Sequence, residues 1–307
     1  MPSELFRDAF VLTGPTGSGK SAFALPLAER LGAEIVSMDS MTLYRGMDVG
    51  TAKPSPEDRR RMPHHLIDVL DPWESASVAW WRDRAAECCR DIAARGRRVL
   101  FVGGTPLYLK ALLYGLFEGP PAIPELRRSL ETEARETGSE ELHRRLAAVD
   151  PETARRLHPN DLRRIVRALE VWESTGRPIS DWQQQWARPA NVLASCWWID
   201  RPRAELYARI DNRVNQMLEA GWLEEARTLR ESAKPLGREA GQALGYAELF
   251  AYLDGRLTLA EAAERIQIRS RQFAKRQLTW FRGLPECRPV PVSGDAIPDF
   301  ADLTNGA

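Results

Sequence analysis

The chain has 307 residues, 43% hydrophobic and 28% charged, with 43 basic and 43 acidic side chains in balance. This size and composition fit a soluble protein of one large domain or two smaller ones. No apolar run reaches the ~18 residues of a membrane span, and a net charge of zero gives no global sign of nucleic acid.

The N-terminus, MPSELFRDAF, has an acid and a base before its first apolar run and no small-residue cleavage site. No signal peptide is expected. Cys88, Cys89, Cys196 and Cys287 lack paired metal-ligand spacing, and the vicinal pair is awkward for a disulfide. With only four histidines beside them, they fit a reducing, cytoplasmic setting without structural zinc.

AFVLTG is a short apolar run ending in Gly14 and predicts a buried strand. KSAFALPLAERLG has helical spacing and ends at Gly32, a C-terminal cap; Pro26 inside it predicts a kink or an early break. AEIVSMDS predicts a second strand, and GMDVGTAKPSPEDRRRMPHH a polar loop. His64 and His65 are expected to be loop or structural residues, since adjacent histidines rarely share a metal. SVAWWRDRAAECCRDIAARG is an amphipathic helix with Ser75 or Ser77 as its cap. RRVLFVGGT predicts a third strand and PLYLKALLYGL a helix. Trp80, Trp81, Trp197, Trp198, Cys88 and Cys89 are expected to pack in or near the core. Alternation at this pitch predicts βαβ units and a parallel sheet covered on both faces.

Three prolines in LFEGPPAIPEL make a stiff connector, and only helical patterns follow from about Pro124 to Arg177. ASCWWID then predicts a strand that returns to the first sheet, followed by helices from Arg203 to Arg282 and a weakly patterned tail. Charge is unevenly spread. Arg265 to Arg282 holds six basic and no acidic residues, and Arg155 to Arg177 six basic against three acidic. Such segments hold a polyanion locally or form a solvated helix face.

Gly14, Pro15, Thr16, Gly17, Ser18, Gly19, Lys20 and Ser21 satisfy G-x-x-x-x-G-K-[ST] between a predicted strand and a predicted helix. Glycines let backbone N–H groups turn around an oxyanion, the helix N-terminus adds positive potential, Lys20 supplies a cation and Ser21 a hydroxyl for Mg²⁺. The expected fold class is therefore α/β: a P-loop parallel sheet flanked by helices, with an inserted all-helical domain. The expected boundaries are 1–118 for the first part of the core, 119–195 for the insertion, and 196–307 for the rest of the core with the C-terminal helices.

The loop specifies a polyphosphate, not its fate. A hydrolase adds a metal-holding acid at the end of a later strand, but VLFVGGT ends in Gly103, Gly104 and Thr105. The acid stands after the second strand, at Asp39, and should share one crevice with Thr105 and the loop. One carboxylate beside a polyphosphate reads as a general base for an acceptor. The electrophile is either phosphorus, as in a small-molecule kinase, or a carbon bearing diphosphate. An RNA-binding protein with a vestigial loop is a third, non-enzymatic alternative.

Several segments together, in order from Gly14 to Arg282, resemble the tRNA dimethylallyltransferases, also called tRNA isopentenyltransferases. They are GPTGSGKS, DSMTLYRGMDVGTAKP, PHHLIDVLDPWE, VGGTPLYLKALLYG, NDLRRIVRALEVWESTGRPIS, LGYAEL and RSRQFAKRQLTWFR. The resemblance implies Mg²⁺-assisted transfer of the dimethylallyl group of dimethylallyl diphosphate to N6 of the adenosine just 3′ of the anticodon. The tRNAs would be those reading codons that begin with U. A monomer is expected. It implies that Gly14 to Ser21 hold the diphosphate together with Arg213, with Arg209 as the alternative; that Lys20, Asp39 and Thr105 are catalytic; and that Asp39 is the general base. It implies that Asp39, Ser40, Met41, Thr42 and Thr105 meet the flipped base. Further tRNA contacts are implied at Arg127, at Arg163, Arg164, Ile165, Val166 and Arg167, and at Ala243, Leu244, Gly245, Tyr246, Ala247 and Glu248. The last are Lys275, Arg276, Gln277, Leu278, Thr279, Trp280, Phe281 and Arg282, with Gln277, Trp280 and Phe281 bonding or stacking with bases. The chain departs from the family at Thr42, where many members carry Gln, and at Ala247, where an aromatic or basic residue is common.

Overall fold

In the computed structural model, residues 6–116, 119–183 and 193–294 are described. The first apolar run is β1 (Phe10–Thr13), buried along its length. The glycine-rich turn leads into α1 (Lys20–Leu31), which runs on through Pro26 without the predicted break and closes on Gly32 at φ 62°. Next come β2 (Ala33–Ser37), α2 (Pro56–Arg61), a two-residue β3 (His64–His65), α3 (Val78–Ala94), β4 (Arg98–Gly103) and α4 (Pro106–Tyr114). Ser77, not Ser75, caps α3, accepting from the Trp80 N–H.

A helical stretch follows: α5 (Pro124–Thr137), α6 (Ser139–Val149), α7 (Pro151–Arg156), α8 (Leu162–Thr175) and α9 (Ile179–Trp182). The chain returns as β5 (Ser195–Asp200), then α10 (Arg203–Glu219), α11 (Trp222–Glu231), α12 (Tyr246–Leu253), α13 (Leu259–Arg282) and β6 (Arg288–Pro291).

One sheet of order β3-β2-β4-β1-β5-β6, parallel throughout, gathers the strands. Two of them escape the sequence. His64 and His65 pair with Ile35 and Val36, where a loop is the simpler expectation, and β6 holds two prolines at the opposite edge. Edge strands tolerate both features, because one side makes no ladder. β1 lies between β4 and β5, so successive connections leave it in opposite directions. That reversal opens a crevice at the carboxyl ends of the strands, where residues 14–21, 38–42 and 104–105 all emerge. Leu12, Leu27, Ile35, Leu100, Trp197 and Ile199 pack together beneath it, each such side chain contributing about 1.5–3 kcal/mol by leaving water.

Cys196, on β5, is joined to Cys287, one residue before β6. Spacing gives no sign of this bond, since the residues stand 91 apart in sequence and only strand order makes them neighbours. Cys88 and Cys89 are free, the latter buried.

The chain divides into two compact units, Met1–Leu113 with Asn191–Ala307, and Tyr114–Ala190. The division falls a few residues before the expected 119 and 195: α4 ends at Tyr114, ahead of the proline connector, and β5 already begins at Ser195. The smaller unit has its own core of Leu130, Leu142, Leu146, Ile165 and Leu169. No described helix is long and apolar enough to cross a membrane.

Candidate active site

The turn between β1 and α1 is built around glycine. Gly17 adopts φ 78°, and a Cβ there would lie 2.7 Å from Ile210 Cγ1, so backbone and packing both demand it. Cationic side chains hold three of the turn's carbonyls. Lys20 Nζ donates to Pro15 at 2.9 Å, Arg209 Nε to Gly17 at 3.3 Å and Arg201 Nε to Ser18 at 3.3 Å. Carbonyls held this way favour N–H groups free to face an anion. The Ser18 hydroxyl is buried with no hydrogen-bond partner among the described residues, as expected of a group reserved for a ligand.

Asp39 stands two residues past β2. Its Oδ1 accepts from the Met41 N–H at 2.9 Å and closes an Asx turn. Thr42 Oγ1 donates to the Asp39 carbonyl at 3.1 Å and shares a 2.7 Å bond with Ser37 Oγ. Thr105 Oγ1, just past β4, accepts from the Ser40 N–H at 3.0 Å. Thr105 thus grips the turn one residue from the carboxylate.

Lys20, Asp39 and Arg213 act on one another electrostatically. Burial pulls the Lys20 ammonium down to about 8; Asp39 opposes this and Arg213 reinforces it. Burial is also the main influence lowering Arg213, again opposed by Asp39 and reinforced by Arg209. Cations that hold their charge against burial and each other gain from an incoming polyanion.

Arg213 also lines a cavity of about 520 Å³, with Val49, Pro54 and Met217 among its other walls. Glu225, from α11, fixes that wall. Its Oε2 accepts from the Asp48 and Val49 N–H groups at 2.6 and 2.7 Å. Its Oε1 accepts from the Gly50 N–H at 3.0 Å and the Tyr246 hydroxyl at 2.7 Å. Lys53, its side chain 3% exposed, donates to the Tyr44 carbonyl at 2.5 Å and to Asp48 and Asp68 at 2.6 Å.

For a metal, Ser21 offers an exposed hydroxyl at the head of α1. No cluster of three His, Cys, Asp or Glu fit for a metal occurs among the described residues. A single protein hydroxyl fits Mg²⁺ carried in by a diphosphate and its waters, and does not fit a resident metal.

Burial divides the residues expected to meet RNA. Ser40 and Met41 are half-buried on the Asp39 turn, while Thr42 is enclosed within it. Arg163 and Arg164 are exposed; Ile165 and Val166 belong to the helical core. Arg127 and Arg167 pair with the fully buried Glu170 at 2.6 and 2.7 Å, so they first neutralise an internal carboxylate. Ala243, Gly245, Tyr246 and Glu248 are buried, Leu244 is half-buried and Ala247 exposed; Glu248 pairs with Arg269. On α13, Lys275, Arg276, Thr279, Trp280 and Arg282 face outward, while Gln277, Leu278 and Phe281 face inward. Phe281 stacks on Trp198 with ring centroids 6.3 Å apart, so the expected base stacking does not suit it. Trp280 does suit it, with Lys110 Nζ 5.7 Å from its ring.

Arg201 and Glu225 escape the sequence reading. For Arg201 a signal exists: it follows a buried strand directly, the kind of strand-end position that singles out Asp39. Glu225 has none, because its backbone partners lie about 175 residues away.

The IPP transferase family model matches residues 42–284, and the isopentenyl transferase model residues 7–66. The tRNA dimethylallyltransferase of Geobacter metallireducens is 50% identical over 274 residues, 89% of this chain and 88% of that protein. That of Geobacillus kaustophilus is 46% identical, over 89% and 86%. The crystal structure of the tRNA isopentenylpyrophosphate transferase from Bacillus halodurans is similar with a TM-score of 0.68 at 39% identity, covering 94% of this chain and 92% of that one. A eukaryotic dimethylallyltransferase acting on tRNA gives a TM-score of 0.76 at 27% identity, covering 98% and 76%. With a family model matched over most of its length and half of the aligned residues shared with a curated member, the chain belongs to the IPP transferase family.

Proposed function

We propose that this protein transfers the dimethylallyl group of dimethylallyl diphosphate to N6 of the adenosine 3′-adjacent to the anticodon, in tRNAs reading codons that begin with U. The observation that carries this is the phosphate turn, with Lys20 bonded to its Pro15 carbonyl, beside the Asp39 turn that Thr105 grips from the end of β4. Lys20 and Arg213, two cations suited to a polyanion, are both influenced by the Asp39 carboxylate.

In this reaction the N6–C1 bond forms as the C1–O bond to diphosphate breaks. Asp39, with Oδ1 occupied in its own turn, takes the N6 proton on Oδ2. Charge grows on the departing diphosphate, so Lys20, Arg213 and the turn's N–H groups stabilise the transition state more than the ground state. Ser21 would help hold Mg²⁺ that arrives with the diphosphate, and that ion would supply further neutralisation of the leaving group. The apolar wall beside Arg213 receives the five-carbon group, and the exposed arginines of α8 and the outer face of α13 each supply contacts to tRNA. The flipped base must leave the anticodon stack to reach Asp39.

Such chemistry belongs where tRNA matures, in the cytoplasm. The test is to incubate the protein with labelled dimethylallyl diphosphate, Mg²⁺ and unmodified tRNA. Prenylated adenosine in the anticodon loop is expected, and its absence would overturn the reading. ATP-dependent phosphorylation of a small acceptor would instead mark a kinase.

A further inference from the structure

Gln277 shares a turn of α13 with Lys275, Arg276, Thr279 and Trp280, yet faces the other way and is 2% exposed. Its Oε1 accepts from the Thr16 N–H at 2.9 Å, and its Nε2 donates to the Gly104 carbonyl at 2.6 Å. A Cβ on Gly104 would lie 2.8 Å from that nitrogen, so the strand end is shaped to admit the amide. One side chain therefore bridges the phosphate turn and the end of β4.

Each end of the bridge leads to a reacting group. Gly104 precedes Thr105, which holds the Ser40 N–H and with it the Asp39 turn. Thr16 belongs to the loop that holds the leaving group. Committing its N–H to Gln277 removes one donor from the anion's reach and so helps decide which donors remain. An amide supplies an acceptor and a donor together whatever the pH. An alkyl chain supplies neither, and a carboxylate opposes the Gly104 carbonyl.

We propose that Gln277 is a positioning residue, holding the diphosphate loop and the Asp39 turn in register from the helix whose outer face meets RNA. This assigns the side chain to donor geometry, in place of the contact with bases that its sequence position implies. The proposal rests on the transferase reading of the site.

The test compares wild type with Gln277→Leu and Gln277→Glu. Calorimetry with Mg²⁺ and inorganic diphosphate reads the loop without requiring any reaction, and donor KM, kcat and donor-free tRNA affinity are read separately. For Gln277→Leu, diphosphate affinity should fall and donor KM rise about tenfold, roughly one hydrogen bond's worth, while tRNA affinity stays within about twofold. For Gln277→Glu, the carboxyl when protonated can accept from Thr16 and donate to Gly104. Its deficit should therefore shrink as pH is lowered from about 8 to about 6, relative to wild type. This variant carries the test if Gln277→Leu does not fold. A drop in tRNA affinity with unchanged diphosphate binding would overturn the proposal, as would two variants indistinguishable from wild type. Failure of wild type to transfer a prenyl group would overturn the transferase reading and leave the diphosphate comparison to judge the bridge.

Discussion

Asp39 does two jobs with two oxygens. Oδ1 caps its own turn at Met41, and Oδ2 is the one assigned to the N6 proton. Asp39→Asn separates the jobs, since an amide oxygen still accepts from Met41 but the amide cannot act as a base. Turnover should fall about 10²–10⁴-fold with tRNA affinity nearly unchanged, measured by single-turnover transfer beside equilibrium binding. An equal loss of affinity would make Asp39 chiefly a binding group. Lys20 gives a second residue-scale expectation. Burial brings its ammonium to about 8 in the free protein, and diphosphate favours the charged form. Below that pH the cation is ready for the donor. Above it, binding must first restore a proton, so donor kcat/KM should decline as pH rises past about 8. Lys20→Arg, charged throughout this range, should flatten that limb of the profile.

At the scale of elements, the cavity wall depends on α11 holding a loop far away in sequence. Glu225 satisfies three backbone N–H groups of residues 48–50 and the Tyr246 hydroxyl. Glu225→Ala leaves those donors without acceptors, at about 1–3 kcal/mol for each one kept from water. Urea unfolding should show a loss of that order, and donor KM should rise because the loop shares its cavity with Arg213. Unchanged stability would mean that water replaces the carboxylate freely. The same element shows what a sequence does and does not display. Strands β1, β2, β4 and β5 are apolar runs closed by turns, and the phosphate turn is a contiguous pattern, so local spacing reveals both. The side of α13 facing inward at Gln277, the bond from Cys196 to Cys287 and the grip of Glu225 arise from strand order and helix docking. No neighbouring residue announces them. The LGYAEL segment is opaque for the same reason: nothing next to Tyr246 and Glu248 announces that Trp222 of α11 and Arg269 of α13 lie against them.

At the scale of the whole molecule, zero net charge conceals basic side chains concentrated on two helices, and RNA affinity should draw on these. Arg163 and Arg164 are exposed on α8, and Lys275 and Arg276 on α13. Each phosphate contact to single-stranded RNA contributes ~0.7 to the slope of log affinity against log salt. Replacing all four side chains by Ala should therefore lower the magnitude of that slope by up to about 3 and weaken tRNA binding at every salt concentration. Donor binding should be unaffected, since none of the four holds the phosphate turn or the Asp39 turn. Arg127 provides the contrast. Its partner Glu170 is fully buried and also held by Arg167 and the Ile123 N–H, so Arg127→Ala withdraws one of three counter-groups from an internal carboxylate. It should cost stability, about 1–3 kcal/mol, more than it costs salt slope. If Arg127→Ala instead lowered the slope as strongly as an exposed arginine, without a change in unfolding, that guanidinium would leave Glu170 for RNA when the complex forms.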